Sequence, residues 1–192
     1  MWFKSLCLAL IFVATCAVPA SASKKVAPGT AMPMGMVMTS PTAFKEFCRR
    51  NADECAISSD TEFKLTDTST KGLASALATT KELVIPQVEQ GDLWMVRDKA
   101  GPGDCEDFAL TLRKLMRAQF PGAKTAFRIA TAFTEAGEYH AVLSVETDKG
   151  TLICDIRYPT CQDWADMPYT WKFRETAGAR VWQRIAAPQS NS

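Results

Sequence analysis

Three residues of this chain have types that can do chemistry together, and they follow one another in the order Cys105, His140, Asp155. Cys105 lies in a segment rich in glycine and acid, GPGDCED at residues 101–107, and His140 is the only histidine in the sequence. A cysteine thiolate can attack a carbonyl carbon, an imidazole can carry the thiol proton, and a carboxylate can orient the imidazole. The sequence therefore predicts a thiol nucleophile, and it leaves His140 as the imidazole that serves it.

Each of these residues also has a structural interpretation. Cys105 can be a buried core cysteine, His140 a surface residue at a strand edge, and Asp155 a turn former where a strand ends. Core cysteines rarely lie among carboxylates, whereas this one has three acidic neighbours between residues 104 and 107. The acidic neighbourhood favours catalysis over simple burial.

A helix is predicted directly after Gly101-Pro102-Gly103, because this sequence favours a tight turn and Asp104 is a good N-cap. Apolar residues then recur at helical spacing until Pro121 and Gly122, namely at Phe108, Leu112, Leu115 and Met116. In the first turn, free backbone N–H groups and the positive end of the helix dipole favour a thiolate and can receive an oxyanion. The neighbouring carboxylates raise the thiol pKa, so we expect an imidazolium or a bound cation to offset them.

Beyond this helix the pattern is typical of strands, at Phe127–Phe133, 140–146 and 151–155. If the turn between the last two has two residues, His140 and Asp155 become diagonal neighbours on one face of the sheet. Such neighbours have Cβ atoms about 7 Å apart, within reach of an imidazole and a carboxylate. A three-residue turn would instead place the two side chains on opposite faces and weaken the triad.

Upstream, two more helices are predicted. Ser40 and Pro41 are typical of a helix start, and a short helix through Phe44, Phe47 and Cys48 should end near residue 51. Residues 53–69 are polar and rich in turn formers. A second helix carrying Leu73 and Leu77 should then stop before Pro86.

The first 22 residues are predicted to be a signal peptide. Lys4 is followed by an apolar run at 6–18 and by the small-residue cleavage sequence Ala20-Ser21-Ala22. The run is shorter than the roughly 20 apolar residues that span a bilayer, although an uncleaved anchor remains the alternative. We expect a periplasmic or secreted protein with an irregular leader at 23–38 and one domain at 39–192.

The charge balance excludes some functions. Removal of the signal peptide takes away one charge, that of Lys4, and leaves 21 basic against 21 acidic residues. A balanced chain has no electrostatic footprint for nucleic acid or for an anionic membrane. We therefore expect a protein or peptide substrate, no nucleic acid and no stable membrane insertion of the mature chain; a regulatory protein partner stays open.

The cysteines that remain after signal removal are five, Cys48, Cys55, Cys105, Cys154 and Cys161. An oxidising compartment favours disulfides, and two pairs lie close together in sequence, 48 with 55 and 154 with 161. This pairing leaves Cys105 as the free thiol. Four cysteines allow three connectivities, so other pairings, or five reduced thiols, stay open.

At residues 103–108 (GDCEDF), 139–143 (YHAVL), Asp155 and 169–171 (YTW), the chain resembles the bacterial transglutaminase-like cysteine proteinases. This family includes the periplasmic LapG-type proteases that cut large surface adhesins. The resemblance, from about Phe47 to Glu175, implies an α+β, papain-like or transglutaminase-like fold whose nucleophile helix packs on an antiparallel sheet. It also implies Cys105 as nucleophile, His140 as base and Asp155 as the residue that orients the base.

The chain departs from the family pattern beside the catalytic positions. The family usually has Met where this chain has Ala141, and often Leu-Asp-Asn where it has Cys154-Asp155-Ile156. LapG-type members bind calcium through acids beside the nucleophile, at positions that match Asp104 and Glu106. Calcium prefers six to eight oxygen ligands, more than these two residues supply.

The leading hypothesis is an exported cysteine endopeptidase that forms an acyl-enzyme intermediate and needs no cofactor for the chemistry itself, with calcium as the candidate ion. One alternative is acyl transfer to an amine, or deamidation, because the same triad can serve water or an amine. A non-enzymatic alternative is a disulfide-stapled binding module with a relic site. Redox exchange is disfavoured, since no second cysteine accompanies Cys105 as in Cys-X-X-Cys motifs.

Overall fold

In the computed structural model, the chain is described at residues 29–55, 62–88, 91–177 and 181–186. The predicted signal peptide and the start of the predicted leader lie outside these ranges. The α-helices within them are α1 (Thr42–Arg50), α2 (Asp67–Leu83) and α3 (Cys105–Gln119). The strands are β1 (Met34–Met38), β2 (Val84–Pro86), β3 (Gly101–Gly103), β4 (Phe127–Phe133), β5 (Tyr139–Thr147), β6 (Gly150–Cys154), β7 (Gln162–Asp163), β8 (Thr170–Glu175) and β9 (Trp182–Ile185).

Seven strands form one sheet in the order β1-β9-β8-β4-β5-β6-β7, and every neighbouring pair in it is antiparallel. The short strands β2 and β3 form a separate parallel pair. Helix α3 packs against β4 and β5 of the large sheet and against α2. The fold is therefore α+β with the cysteine helix on an antiparallel sheet, which confirms the predicted fold class.

Helices α1 and α2 are present where the sequence predicts them. Helix α1 buries one face through Phe44, Phe47 and Cys48, and it ends at Arg50, one residue before the predicted end. Helix α2 starts at a capping box in which Thr66 and Ser69 bond each other's backbone N–H groups, within the stretch predicted to be polar and turn-rich.

The apolar stripe of α3 forms much of the core. Phe108, Leu112 and Met116 are fully buried, and Leu115 packs against the same cluster. Their spacing places them on one face of the helix, and burial of each such side chain contributes about 1.5–3 kcal/mol relative to exposure. This packing fixes the helix on the sheet and thereby fixes the position of Cys105 at its first turn.

Two local predictions are wrong. Gly101–Gly103 is strand β3 beside β2 rather than a tight turn, because its backbone partners come from a segment far away in the sequence. Residue 103 has to be glycine because the Asp107 side chain lies close to its backbone: a Cβ there would lie 2.8 Å from Oδ2 of Asp107. In the predicted irregular leader, Met34–Met38 is strand β1, which pairs with β9 from the other end of the chain.

The strands β4 to β6 agree with the prediction to within one residue or so at each end. Thr147 pairs with Gly150, so the turn between β5 and β6 has the two residues on which the His140–Asp155 geometry depends. Strands β7, β8 and β9 were not predicted. No helix in the described ranges has the length and apolar character needed to cross a bilayer.

Candidate active site

Cys105 is the first residue of α3 and is partly buried. Asp104 occupies the N-cap position, but its side chain makes no capping hydrogen bond, contrary to the prediction. The first internal hydrogen bond of the helix runs from the Phe108 N–H to the Asp104 carbonyl. The N–H groups of the first turn therefore have no partner within the helix and point toward its N-terminal end, where the thiol lies.

His140 and Asp155 meet at the end of the β5–β6 hairpin. Nε2 of His140 lies 3.0 Å from Oδ1 of Asp155, and both side chains are buried, with 8% and 1% of their surface exposed. The predicted two-residue turn and diagonal register produce this contact. Because the carboxylate occupies Nε2, Nδ1 is the ring nitrogen that remains for a thiol.

Cys105 and His140 line the same cleft, which has a volume of about 640 Å³. The backbone N–H of Ala141 donates a hydrogen bond to Sγ of Cys105 at 3.4 Å, so the thiol contacts the residue that follows His140. Helix α3 and strand β5 therefore bring together two residues that are far apart in sequence. The cleft walls are Pro41, Val88, Asp92, Trp94, Asp104, Cys105, Glu106, Glu138, Tyr139, His140 and Ala141.

The surroundings of Cys105 favour the neutral thiol over the thiolate. Sγ donates a hydrogen bond to Oε2 of Glu106 at 3.0 Å. Burial raises the pKa of the thiol well above its usual range, and the charge and hydrogen bond of Glu106 raise it further, against a smaller opposing effect of the Ala141 N–H. Burial and the acidic neighbours therefore raise the thiol pKa despite the position of Cys105 at the start of a helix, where the dipole lowers a thiol pKa.

Asp107, the third acidic residue near Cys105 in sequence, does not face the thiol. Its carboxylate is buried, where it accepts the Met95 N–H at 2.7 Å and pairs with Arg97 at 2.8 Å. It therefore braces the segment before β3, and the acids that face the thiol are Asp104 and Glu106.

Asp104 and Glu106 have the features of a cation site. An oxygen of each carboxylate and Sγ of Cys105 lie within 4.8 Å of one another. Burial and the neighbouring Glu106 raise the pKa of Asp104 to about 7, and its buried Oδ1 has no hydrogen-bond partner. Carboxylate oxygens are the hard donors that calcium prefers, and one of these oxygens has no hydrogen-bond partner, so the pair fits a calcium ion. The two residues supply part of the six to eight oxygen ligands of that ion.

Two residues that the chemical reasoning missed hold Asp155. The hydroxyl of Tyr169 donates to Oδ2, and the backbone N–H of Arg157 donates to Oδ1 at 3.0 Å. The Arg157 guanidinium also bonds the Tyr169 oxygen at 3.2 Å and pairs with Glu135. Burial opposes ionisation of Asp155, but the bonds from His140, Tyr169 and Arg157 outweigh it and lower its pKa. Tyr169 could have been found from the sequence, because it lies in the YTW segment that resembles the family. No sequence feature indicated Arg157.

Disulfides join Cys48 to Cys55 and Cys154 to Cys161, the pairing that the sequence spacing favours. Cys105 is the free cysteine of the described residues. The second bridge starts at the residue directly before Asp155, so it lies at the edge of the site.

The architecture and the cleft are those of a transglutaminase-like cysteine protease fold. The family model of the bacterial transglutaminase-like cysteine proteinases (BTLCP) matches residues 34–190. The chain therefore belongs to this family, and it is a cysteine peptidase.

Solved structures of Legionella pneumophila LapG are similar to this chain. The calcium-bound form is 19% identical, with a TM-score of 0.53 over 67% of this chain and 75% of that one. Another LapG structure is 17% identical, with a TM-score of 0.54 over 79% and 82%. At these identities the likeness shows the fold. A comparison with curated protein sequences gives no match.

Proposed function

We propose that this protein is an exported cysteine endopeptidase that hydrolyses a peptide bond through Cys105, His140 and Asp155. The observation that carries the proposal is the 3.0 Å contact of the buried Asp155 with His140, which lines the same cleft as Cys105. A nucleophile and a base are thereby available in one cleft, with a buried group behind the base that can orient it.

In the proposed reaction, Nδ1 of His140 takes the thiol proton and Sγ of Cys105 attacks the carbonyl carbon of the scissile bond. The developing oxyanion is received by backbone N–H groups of the first turn of α3. The tetrahedral intermediate collapses, the peptide C–N bond breaks, and the imidazolium gives its proton to the leaving amine. Water, deprotonated by His140, then hydrolyses the thioester and restores the thiol.

Asp155 keeps the imidazole in the useful orientation throughout these steps. Its ionised carboxylate accepts from Nε2, so it stabilises the imidazolium that forms after proton transfer. The lowered pKa of Asp155, maintained by Tyr169 and the Arg157 N–H, supports this role at neutral pH.

We further propose that Asp104 and Glu106 hold calcium. The support is the unsatisfied Oδ1 of Asp104 and the raised pKa of its carboxyl group, both typical of acids that lack a counter-charge. A bound divalent ion would supply positive charge that opposes the effect of these acids on the Cys105 thiol. Legionella pneumophila LapG, which has a similar fold, has a solved structure in a calcium-bound form.

Export by the signal peptide at 1–22 is part of the proposal, and it predicts a mature chain that begins at Ser23. The mass of the protein recovered from periplasm or medium tests this boundary. A protein substrate on the cell surface suits both the export and the peptidase family.

The proposal is tested by comparing exported and cell-surface proteins of strains that carry the wild-type chain or Cys105→Ala. A genuine substrate should accumulate uncut in the variant, and purified wild-type protein should cut it at the same bond. Addition of a labelled amine to the purified reaction separates hydrolysis from acyl transfer, because transfer leaves the label on the new carboxyl end. If no protein differs between the strains and the Cys105 thiol, with calcium present, alkylates no faster than free cysteine, the relic binding module is the better description.

A further inference from the structure

Several large apolar side chains are exposed at the active-site cleft and on the edge strand β1. Val88 and Tyr139, with 92% and 53% of their surface exposed, lie on the walls of the cleft. Met38, the last residue of β1, is 38% exposed and lies on the wall of a second cavity. Single exposed apolar residues are ordinary, whereas exposed apolar residues that line neighbouring cavities are typical of a binding surface.

This second cavity adjoins the active-site cleft. It has a volume of about 280 Å³, and it shares two walls with the cleft, Pro41 and Tyr139. Tyr139 directly precedes His140 in β5. Its hydroxyl donates to Thr131 at 2.9 Å and its ring packs edge-on against Phe133, so the shared wall is held in place.

The second cavity is lined by both apolar and polar side chains. Met38, Phe173 and Trp182 are apolar walls, and Lys45, Thr39, Ser40 and Thr42 are polar ones. Met38 and Trp182 are paired across β1 and β9, so this end of the sheet forms one side of the cavity. An apolar side chain can fill such a cavity while the polar side chains face the backbone of the same ligand.

We propose that the cleft and the second cavity form one groove for an extended polypeptide substrate, and that the second cavity takes an apolar side chain of that substrate. The identity of the occupant rests on the proposed peptidase function. Because the two cavities adjoin at Pro41 and Tyr139 and an extended chain advances about 3.3 Å per residue, the apolar residue should lie about two or three residues from the scissile bond.

The test uses a proteome-derived peptide library with the wild-type protein, Met38→Lys and the matched control Ile85→Lys, which changes an exposed apolar residue on β2 outside both cavities. Cut peptides should show an apolar residue at a constant distance from the new end. Met38→Lys should abolish that preference and lower kcat/KM about 10-fold on preferred peptides, the loss expected for one apolar contact. Ile85→Lys should keep both. Equal alkylation rates of Cys105 and equal melting temperatures show that the variants are intact.

A parallel binding arm uses the same library with Cys105→Ala, with and without Met38→Lys, and identifies retained peptides by mass spectrometry. Cutting without an apolar preference, or with one that Met38→Lys leaves unchanged, overturns the groove and leaves the peptidase function standing. Retention of peptides with the spaced apolar residue, lost on Met38→Lys, together with no cutting by the wild type, supports the groove and refutes the peptidase function. If neither arm gives a Met38-dependent preference, the groove is refuted.

Discussion

Asp155 accepts hydrogen bonds from three directions, and each donor has a different position in the chain. His140 comes from β5, the Arg157 N–H from the turn after β6, and the Tyr169 hydroxyl from the segment before β8. The Tyr169 ring also packs edge-on against the imidazole, with 5.8 Å between ring centroids. Tyr169 thus contacts both members of the His–Asp pair, and we expect it to act as a positioning residue.

Tyr169→Phe keeps the ring and removes the hydroxyl that donates to Asp155. A hydrogen bond to a charged group is worth about 1.5–3 kcal/mol, so kcat should fall about 10- to 100-fold while KM changes little. The lost donor should also raise the pKa of Asp155 and move the acid limb of the kcat–pH profile upward. Tyr158→Phe is the control, because its ring lies beside Arg157 and its bond to Asp155 is a backbone hydrogen bond that the substitution keeps. An unchanged kcat in Tyr169→Phe would mean that His140 and the Arg157 N–H suffice.

The acid pair at the nucleophile predicts a pH-dependent stability. The pKa of Asp104 in the folded protein, about 7, lies above the 3.8 of an ordinary aspartate. Between these values the folded state binds the proton more tightly than the unfolded state, so stability falls as pH rises through this window. In chelator, the melting temperature should therefore decrease from pH 5 to pH 8, and calcium at pH 8 should restore it. The lowered pKa of Asp155 acts at lower pH and does not enter this window.

Asp104→Asn should flatten both responses, because it removes the titrating group and a cation ligand together. Asp166→Asn, at an exposed aspartate of a short 3₁₀ turn, is the matched control and should behave as the wild type. A wild-type melting temperature that changes with neither pH nor calcium would contradict the cation site and leave Asp104 as a partly buried residue at the helix start.

At the scale of elements, two disulfides of equal span lie at different distances from the chemistry. Each joins cysteines seven residues apart, so each should stabilise by a similar amount, about 2–3 kcal/mol in the chain-entropy model. Cys48–Cys55 links α1 to the following 3₁₀ turn. Cys154–Cys161 instead closes the loop that begins with Asp155, so it restrains the carboxylate that contacts His140.

Replacement of both cysteines by serine in either bridge should lower the melting temperature comparably. Loss of Cys154–Cys161 should in addition lower kcat at temperatures where the variant is fully folded, because Asp155 loses its restraint. Loss of Cys48–Cys55 should leave kcat near the wild-type value, and the two variants are each other's control. Equal kcat values in both would show that hydrogen bonds alone position Asp155.

Local sequence signals predicted some elements well and others not at all. Helix α3, strand β4 and the two-residue β5–β6 turn follow from helical spacing, strand composition and turn chemistry, which act within a few residues. Strands β1 and β3 depend on partners that are distant in sequence, so their own residues carry a weak signal. The contact of His140 with Asp155 could be predicted because one short hairpin determines it.

At the scale of the whole molecule, the site depends on contacts that no local pattern reveals. Cys105 reaches the hairpin because the apolar face of α3 packs on β4 and β5. Tyr169 reaches Asp155 from the far side of the 3₁₀ turn at Trp164–Asp166. The proposed groove beyond Tyr139 is lined by residues of β1 and β9, which are far apart in sequence, and of β5. These long-range contacts explain why the sequence predicted the contact of His140 with Asp155 but not most of the residues that support it.

The central claim is that Cys105 and His140 act as one catalytic unit on a polypeptide. The direct measurement is the turnover of one confirmed substrate by the wild type, Cys105→Ala, His140→Ala and the double variant, with calcium present. Each single variant should lose about 10³-fold or more in kcat, and the double variant should be little worse than either, because residues of one unit lose their contribution together. Wild-type turnover by Cys105→Ala, or losses that multiply in the double variant, would contradict the claim.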